Sequence, residues 1–214
     1  HHPIHERQHM IADNERIIIF GCGGHSRSVV DVLLASTPGV ELVFVDESAK
    51  DGELLYGFPV LKDYPIDNEP FFLAIGDNLA REQQMAKVAN TGRLISVISP
   101  SAHLGRSSTV AAGCFVGNFC HIGPEARIGT NTILNTAAII EHEVQIGAYC
   151  HIGPNATVSG RCQLGDHVFV GVGATVKDYV SICSKVVIGA GATVVNDITA
   201  PGTYIGTPAR RLAK

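Results

Sequence analysis

The chain has 214 residues, 45% of them hydrophobic, and a formal charge of −4. That length allows one large domain or two modest ones, and the charge gives no basic field for nucleic acid. There is no run of 18 apolar residues and no basic-then-apolar leader, so a cytoplasmic protein without membrane partners is expected.

Residues 1–9 hold four of the ten histidines without an apolar period and read as a purification-tag remnant ahead of Met10. From Arg16 to Phe20 the sequence RIIIF has the pattern of a short buried strand. Gly21-Cys22-Gly23-Gly24-His25-Ser26 and the helical stretch SVVDVLLAS follow, which is how a βαβ unit begins. A second strand, Glu41 to Val45, ends at the acidic pair Asp46-Glu47, where ribose hydroxyls or a base find acceptors. A third, Phe71 to Ile75, leads to Gly76-Asp77-Asn78 and a helix through about Val88. These elements predict a small Rossmann-like parallel sheet flanked by helices over residues 10–95. Ser26 stands where a dinucleotide fingerprint carries glycine, so the loop speaks for a nucleotide's phosphates at a helix N-terminus rather than for NAD. A tight turn without a ligand is the alternative.

From Ile98 every sixth residue through Val194 is aliphatic, without insertion. Period six belongs to neither a helix nor a hairpin, and it predicts a triangular parallel β-helix with three hexads per coil. Coils spaced about 4.8 Å apart would make a prism roughly 27 Å long. Glycine recurs at the second hexad position, as at Gly105, Gly117 and Gly129, and is read as a tight-turn residue. The fifth position is mostly small and forms a second inward row. Cys114, Cys120, Cys150 and Cys162 fall in that row, where a thiol acts as a compact hydrophobe. Cys22 and Cys183 lie elsewhere, neither with a partner at metal-ligand spacing.

The third hexad position leaves the core, and His142 occupies it between Glu141 and Glu143. Acyl transfer from a thioester needs a base beside the nucleophile, and an imidazole, with an ordinary pKa of about 6.5, serves near neutrality. An adjacent carboxylate fixes its tautomer. A solvated histidine without a role is the alternative.

Four segments occur in order: GCGGHS from Gly21, AIGDNLAR from Ala74, IIEHEVQIGAYCHIGP from Ile139, and YIGTPARRL from Tyr204. Together they resemble the sialic-acid O-acetyltransferase family and, within it, the N-acetyltransferases of UDP-4-amino-sugars, as in bacillosamine synthesis. The hexad pattern is similar to that of the hexapeptide-repeat acyltransferases, whose coils are left-handed. The resemblance implies a left-handed β-helix over residues 96–214, a homotrimer, and acetyl-CoA as co-substrate with no metal. It makes His142 the base and Glu143 its partner. It puts coenzyme A at His151, Gly160, Val172, Ala190, Gly206 and Pro208, with the Gly160 N–H as oxyanion donor. The nucleotide-sugar falls to Gly23, Gly24, His25, Asp46, Glu47, Gly76 and Arg81, with Asn135 as a sugar contact. Arg210 and Arg211 are either phosphate ligands or solvated ends. His151 lies nine residues after His142, half a coil away, so a neighbouring prism would have to join them.

N-acetylation of a UDP-4-amino-4,6-dideoxy-sugar for a bacterial surface glycan or glycoprotein is the leading expectation, with sugar O-acetylation as the alternative. Two remoter alternatives are a non-catalytic nucleotide-sugar scaffold and a zinc carbonic-anhydrase-like site. For the latter, His103 and His121 stack one coil apart, but no histidine in the repeat lies five residues from another.

Overall fold

The computed structural model describes residues 15–213, so the tag-like segment 1–9 lies outside the described residues. Two compact units divide between Pro100 and Ser101.

The first unit contains β1 (Arg16–Phe20), α1 (Gly24–Ser36), β2 (Glu41–Val45), β3 (Leu54–Leu55), β4 (Phe58–Leu61), β5 (Pro70–Leu73), α2 (Asn78–Val88) and β6 (Arg93–Leu94). Its sheet has the order β3-β4-β2-β1-β5-β6. The central pairings are parallel, with Ile18 opposite Val43 on one side and Phe71 on the other. Ile17, Ile18, Ile19, Phe44, Phe72 and Leu73 are all within 1% of full burial, so the strands read as continuous apolar runs rather than alternations. Because β2 and β5 flank β1 on opposite sides, the carboxyl end of β1 is a topological switch point, where open parallel sheets receive ligands.

Three details differ from the sequence reading, the first being the short strand β6, which pairs parallel with β5. The hairpin β3–β4 was not anticipated; it turns on Tyr56 (φ 52°) and Gly57 (φ 84°), the left-handed pair of a two-residue loop. The third strand stops at Leu73, short of Ile75, because the Ile75 carbonyl turns to accept from Nη1 of Arg81 at 2.7 Å.

The second unit is the solenoid. Its two-residue strands stack in parallel at a strict 18-residue offset: Phe115, Ile133, His151, Phe169 and Val187 on one face, His103, His121, Ile139, Thr157, Thr175 and Thr193 on the next, and Thr109, Arg127, Gln145, Gln163 and Ser181 on the third. Gly202–Ile205 then adds a parallel strand beside Val186–Ile188 and turns back into an antiparallel pair with Arg210–Arg211.

The hexad glycines have a different reason from the one the sequence reading assigns. The left-handed turn residue is the fourth of each hexad, for example Glu125, Glu143, Arg161 and Tyr179, and most of these are not glycine. The second-position glycines are instead where coils touch. A Cβ on Gly129 would lie 2.5 Å from the Gly147 carbonyl carbon, and one on Gly105 2.6 Å from that of Gly123. Close backbone approach excludes a side chain there.

The four inward-row cysteines are at most 2% exposed. Each thiol donates to a carbonyl 15 residues on: Cys114 to Gly129, Cys120 to Asn135, Cys150 to Gly165 and Cys162 to Lys177, at 3.0–3.1 Å. Burial pushes the Cys120 thiol up to about 11. Since the thiolate is the reactive form, a thiol reagent at pH 8 is expected to modify Cys22 and Cys183, which are partly exposed, and to reach the other four only after unfolding. Rapid titration of all six in the folded protein would contradict this packing.

Candidate active site

His142 and Glu143 sit on the edge between the strands Ile139–Ile140 and Gln145–Ile146, at the turn of the hexad. Glu143 takes the left-handed turn conformation, φ 59°. Both side chains leave the core and stand half exposed. His142 Nδ1 lies 2.9 Å from Glu143 Oε2. The bond from His142, and next that from Arg161, hold the Glu143 carboxyl below its ordinary range, so it is ionised and accepts. Nδ1 therefore carries the proton, and in the neutral ring Nε2 presents a lone pair. That atom lies against Gly160, where a Cβ would come within 2.6 Å of Nε2 and 2.7 Å of Cε1. Glycine at 160 makes room for the imidazole.

Two residues of this edge escaped the sequence reading. Arg161 Nε reaches the same Glu143 Oε2 at 2.9 Å, and Arg161 Nη1 donates to the hydroxyl of Tyr179. The missed signal is the coil period: 143, 161 and 179 are the same hexad position on three successive coils.

The other residues assigned to the acyl donor gather elsewhere. His151 belongs to the face of Ile133 and Phe169, away from the edge that carries His142. Asn135 Oδ1 accepts from the Thr136 N–H at 2.8 Å, and Asn135 Nδ2 lies 3.2 Å from His151 Nε2. Because that amide nitrogen donates, His151 Nε2 accepts and its proton sits on Nδ1. Val172 and Ala190 occupy matching turn positions on adjacent coils, and Val172 is 52% exposed. The Gly206 carbonyl accepts from the Thr193 N–H, which fastens the segment before Pro208 to the prism.

In the first unit, Gly23, Gly24, His25, Asp46, Glu47 and Gly76 lie at the carboxyl ends of β1, β2 and β5. A Cβ at Gly23 or Gly24 would meet nothing within 4 Å, and both have negative φ or ordinary turn geometry, so the protein's own packing does not demand glycine there. Gly21 differs: its φ is 98° and a Cβ would lie 2.9 Å from the Ala74 carbonyl oxygen. Arg81 is fully buried, and its guanidinium holds the Ile75 carbonyl and Asn78 Oδ1, each at 2.7 Å. It shapes the 75–78 loop from inside. Asp46 Oδ2 accepts from the Cys22 N–H, and Oδ1 from the Ser48 N–H and hydroxyl, tying the glycine turn to the end of β2. A cavity of about 670 Å³ opens beside these ends, lined by Gly21, Asp46, Glu47, Tyr64, Gln83 and Lys87 among others. That volume suits a small-molecule ligand.

The Ser48 bonds hold the Asp46 carboxyl below its ordinary value. A depressed carboxylate contributes stability that is complete above the unfolded value of about 4 and is lost as pH falls through the folded one. Asp46→Asn should therefore be less stable than the parent by about 1 kcal/mol at pH 7, the difference shrinking as acid protonates the Asp46 carboxyl. Equal thermal midpoints at pH 7 would show that the tie carries no weight.

Among the described residues no group of three or more His, Cys, Asp or Glu is arranged to hold a metal ion. The rings of His103 and His121 stack nearly parallel, centroids 5.3 Å apart, rather than converging on a point. No helix among the described residues is long and apolar enough to cross a membrane.

A prism of hexads with a histidine–carboxylate pair on its edge defines a hexapeptide-type transferase. Residues 125–160 match the family Bacterial transferase hexapeptide (six repeats), and residues 16–88 match the PglD N-terminal domain. The acetyltransferase domain of PglB from Neisseria gonorrhoeae is 29% identical with a TM-score of 0.84, covering 93% of this chain and 100% of that one. PerB from Caulobacter crescentus, solved with CoA and GDP-perosamine, is 32% identical with a TM-score of 0.82, covering 92% and 97%. WeeI from Acinetobacter baumannii, 24% identical with a TM-score of 0.87 over 93% and 100%, shares the fold. Over 122 residues the chain is 33% identical to a protein of Acanthamoeba polyphaga mimivirus; the match takes in 55% of this chain, and the chain spans about a quarter (24%) of the viral protein's length. The chain belongs to the hexapeptide-repeat sugar acetyltransferases that carry a PglD-type N-terminal domain.

Proposed function

We propose that the protein transfers the acetyl group of acetyl-CoA to the amino nitrogen of a nucleoside-diphosphate-linked 4-amino-dideoxy-sugar. The observation that carries this reading is the His142–Glu143 pair, whose imidazole keeps an unprotonated Nε2 beside Gly160. The sugar nitrogen attacks the thioester carbonyl, and His142 Nε2 takes the proton that the nitrogen sheds. The tetrahedral intermediate collapses with loss of the coenzyme A thiolate, which receives that proton from His142. Glu143 fixes the tautomer and steadies the imidazolium. The Gly160 N–H is the proposed donor to the oxyanion. No cysteine takes part, since four are buried in the core and neither Cys22 nor Cys183 lies on this edge, so transfer is direct.

Nucleotide binding is assigned to the N-terminal unit. Gly23 and Gly24, which the protein's packing does not require to be glycine, admit a phosphate close to the backbone at the start of α1. Asp46 and Glu47 face the cavity at the switch point and offer acceptors to ribose or base, while buried Arg81 positions the loop that holds Gly76. Coenzyme A is assigned to His151, Val172, Ala190, Gly206 and Pro208, with Asn135 toward the sugar. His142 and His151 lie on different parts of the prism, so one chain holds two half-sites, and a homotrimer that sets each edge against a neighbour's face would complete three sites. A cytoplasmic location suits both substrates.

The test is an acetyl-CoA turnover assay against UDP-, GDP- and dTDP-linked 4-amino-sugars and their hydroxyl counterparts. Transfer to one amino-sugar nucleotide is expected. The UDP form is the expectation from sequence, and the Caulobacter relative's ligand makes GDP the competing arm. Transfer to hydroxyl acceptors alone would replace N-acetylation by O-acetylation; transfer to none would defeat the enzyme reading.

A further inference from the structure

We propose that Arg161, braced by Tyr179, is a positioning residue that holds the Glu143 carboxylate and through it the ring of His142; this rests on the acetyltransferase reading above. An exposed ion pair is usually worth little, because two long side chains must give up their freedom to form it. Here the freedom is already restricted. Glu143, Arg161 and Tyr179 occupy the left-handed turn position of three successive coils, with φ of 59°, 62° and 62°. Their backbones are fastened coil to coil, the Glu143 N–H to the Pro124 carbonyl at 2.9 Å, the Arg161 N–H to that of His142 at 3.0 Å, and the Tyr179 N–H to that of Gly160 at 3.0 Å.

On this ladder a single carboxylate oxygen, Glu143 Oε2, accepts from both His142 Nδ1 and Arg161 Nε at 2.9 Å. The guanidinium is held on its far side as well. Its Nη1 donates to the Tyr179 hydroxyl, and its central carbon lies 5.4 Å from the centre of the Tyr179 ring. Two donors of one rigid fork thus serve two partners, which a lysine ammonium cannot reproduce in the same geometry. Without Arg161 the Glu143 carboxylate keeps one tether, to the ring it is meant to steady. The base then samples other orientations and the rate falls, while groups that bind substrate are untouched.

The experiment combines Arg161→Gln, Glu143→Gln and the double variant in steady-state assays. Arg161→Gln is expected to lower kcat about tenfold with both KM values within about twofold, and to lower it no further in the Glu143→Gln background, as for residues acting through one contact. Additive losses, or a loss confined to KM, would overturn the proposal and make Arg161 a substrate ligand. A second readout needs no substrate. Arg161 helps hold the Glu143 carboxyl below its ordinary range, so an NMR titration of that carboxyl should move to higher pH in Arg161→Gln, and an unmoved midpoint would overturn the proposal. A wild-type protein without transfer activity would defeat the functional reading, while the carboxyl titration would still decide the coupling.

Discussion

Replacing His142 with alanine is expected to cut kcat/KM for acetyl transfer by about 10²–10⁴-fold, the range for loss of a positioned general base. That corresponds to about 3–5 kcal/mol of transition-state stabilisation. The chemistry sets the size of the effect. An attacking amine becomes a positively charged nitrogen as the carbon–nitrogen bond forms, and the intermediate reverts unless that nitrogen loses its proton. In the proposed mechanism His142 Nε2 takes it, since Glu143 lies 2.9 Å from the other ring nitrogen. The side chain is half exposed on a turn and fills no core space, so the variant should fold with a thermal midpoint close to the parent's. Acetyl-CoA should bind it with little change, since His151, the histidine assigned to coenzyme A, lies on another face of the prism. Undiminished turnover in His142→Ala would remove the histidine from the mechanism. A loss confined to the KM for acetyl-CoA would recast it as a binding residue.

The solenoid was legible because its geometry repeats. A coil closes in 18 residues, so every inward residue from Leu104 to Val194 is written at a fixed interval, and the strand ladder follows from counting. What repeats does not reveal is why a residue is present. Glycine at the second hexad position reads equally as a turn or as a close contact, and only the neighbouring coil, 18 residues away, decides for contact. His142 and Glu143 stood out as sequence neighbours, whereas Arg161 and Tyr179 meet them only across coils. In the first unit β1, α1, β2, β5 and α2 were readable in order, but β3, β4 and β6 and the roles of polar groups were not. Asp46 accepts from the Cys22 N–H, 24 residues away, and the buried Arg81 guanidinium holds the Ile75 carbonyl. Short-range pattern reports elements, while the partner of a polar group is a long-range fact.

That distinction gives Gly160→Ala its value. Two roles are assigned to Gly160, an N–H for the oxyanion and an empty space for the imidazole, and alanine separates them. Alanine keeps the N–H, and the backbone at 160 is not in the left-handed region, so the substitution carries no conformational penalty of its own. Its methyl group, however, would lie 2.6 Å from His142 Nε2, closer than side-chain atoms pack, so the ring must move. Moving it perturbs the 2.9 Å contact with Glu143 or carries Nε2 off the position the proposed mechanism needs. Displacements of about 1 Å in a catalytic group cost on the order of 10²-fold, and we expect kcat to fall by about that factor with little change in thermal midpoint. If donation to the oxyanion were all that Gly160 supplied, Gly160→Ala would retain nearly full activity. That outcome would mean the imidazole works from a position other than the one it holds here.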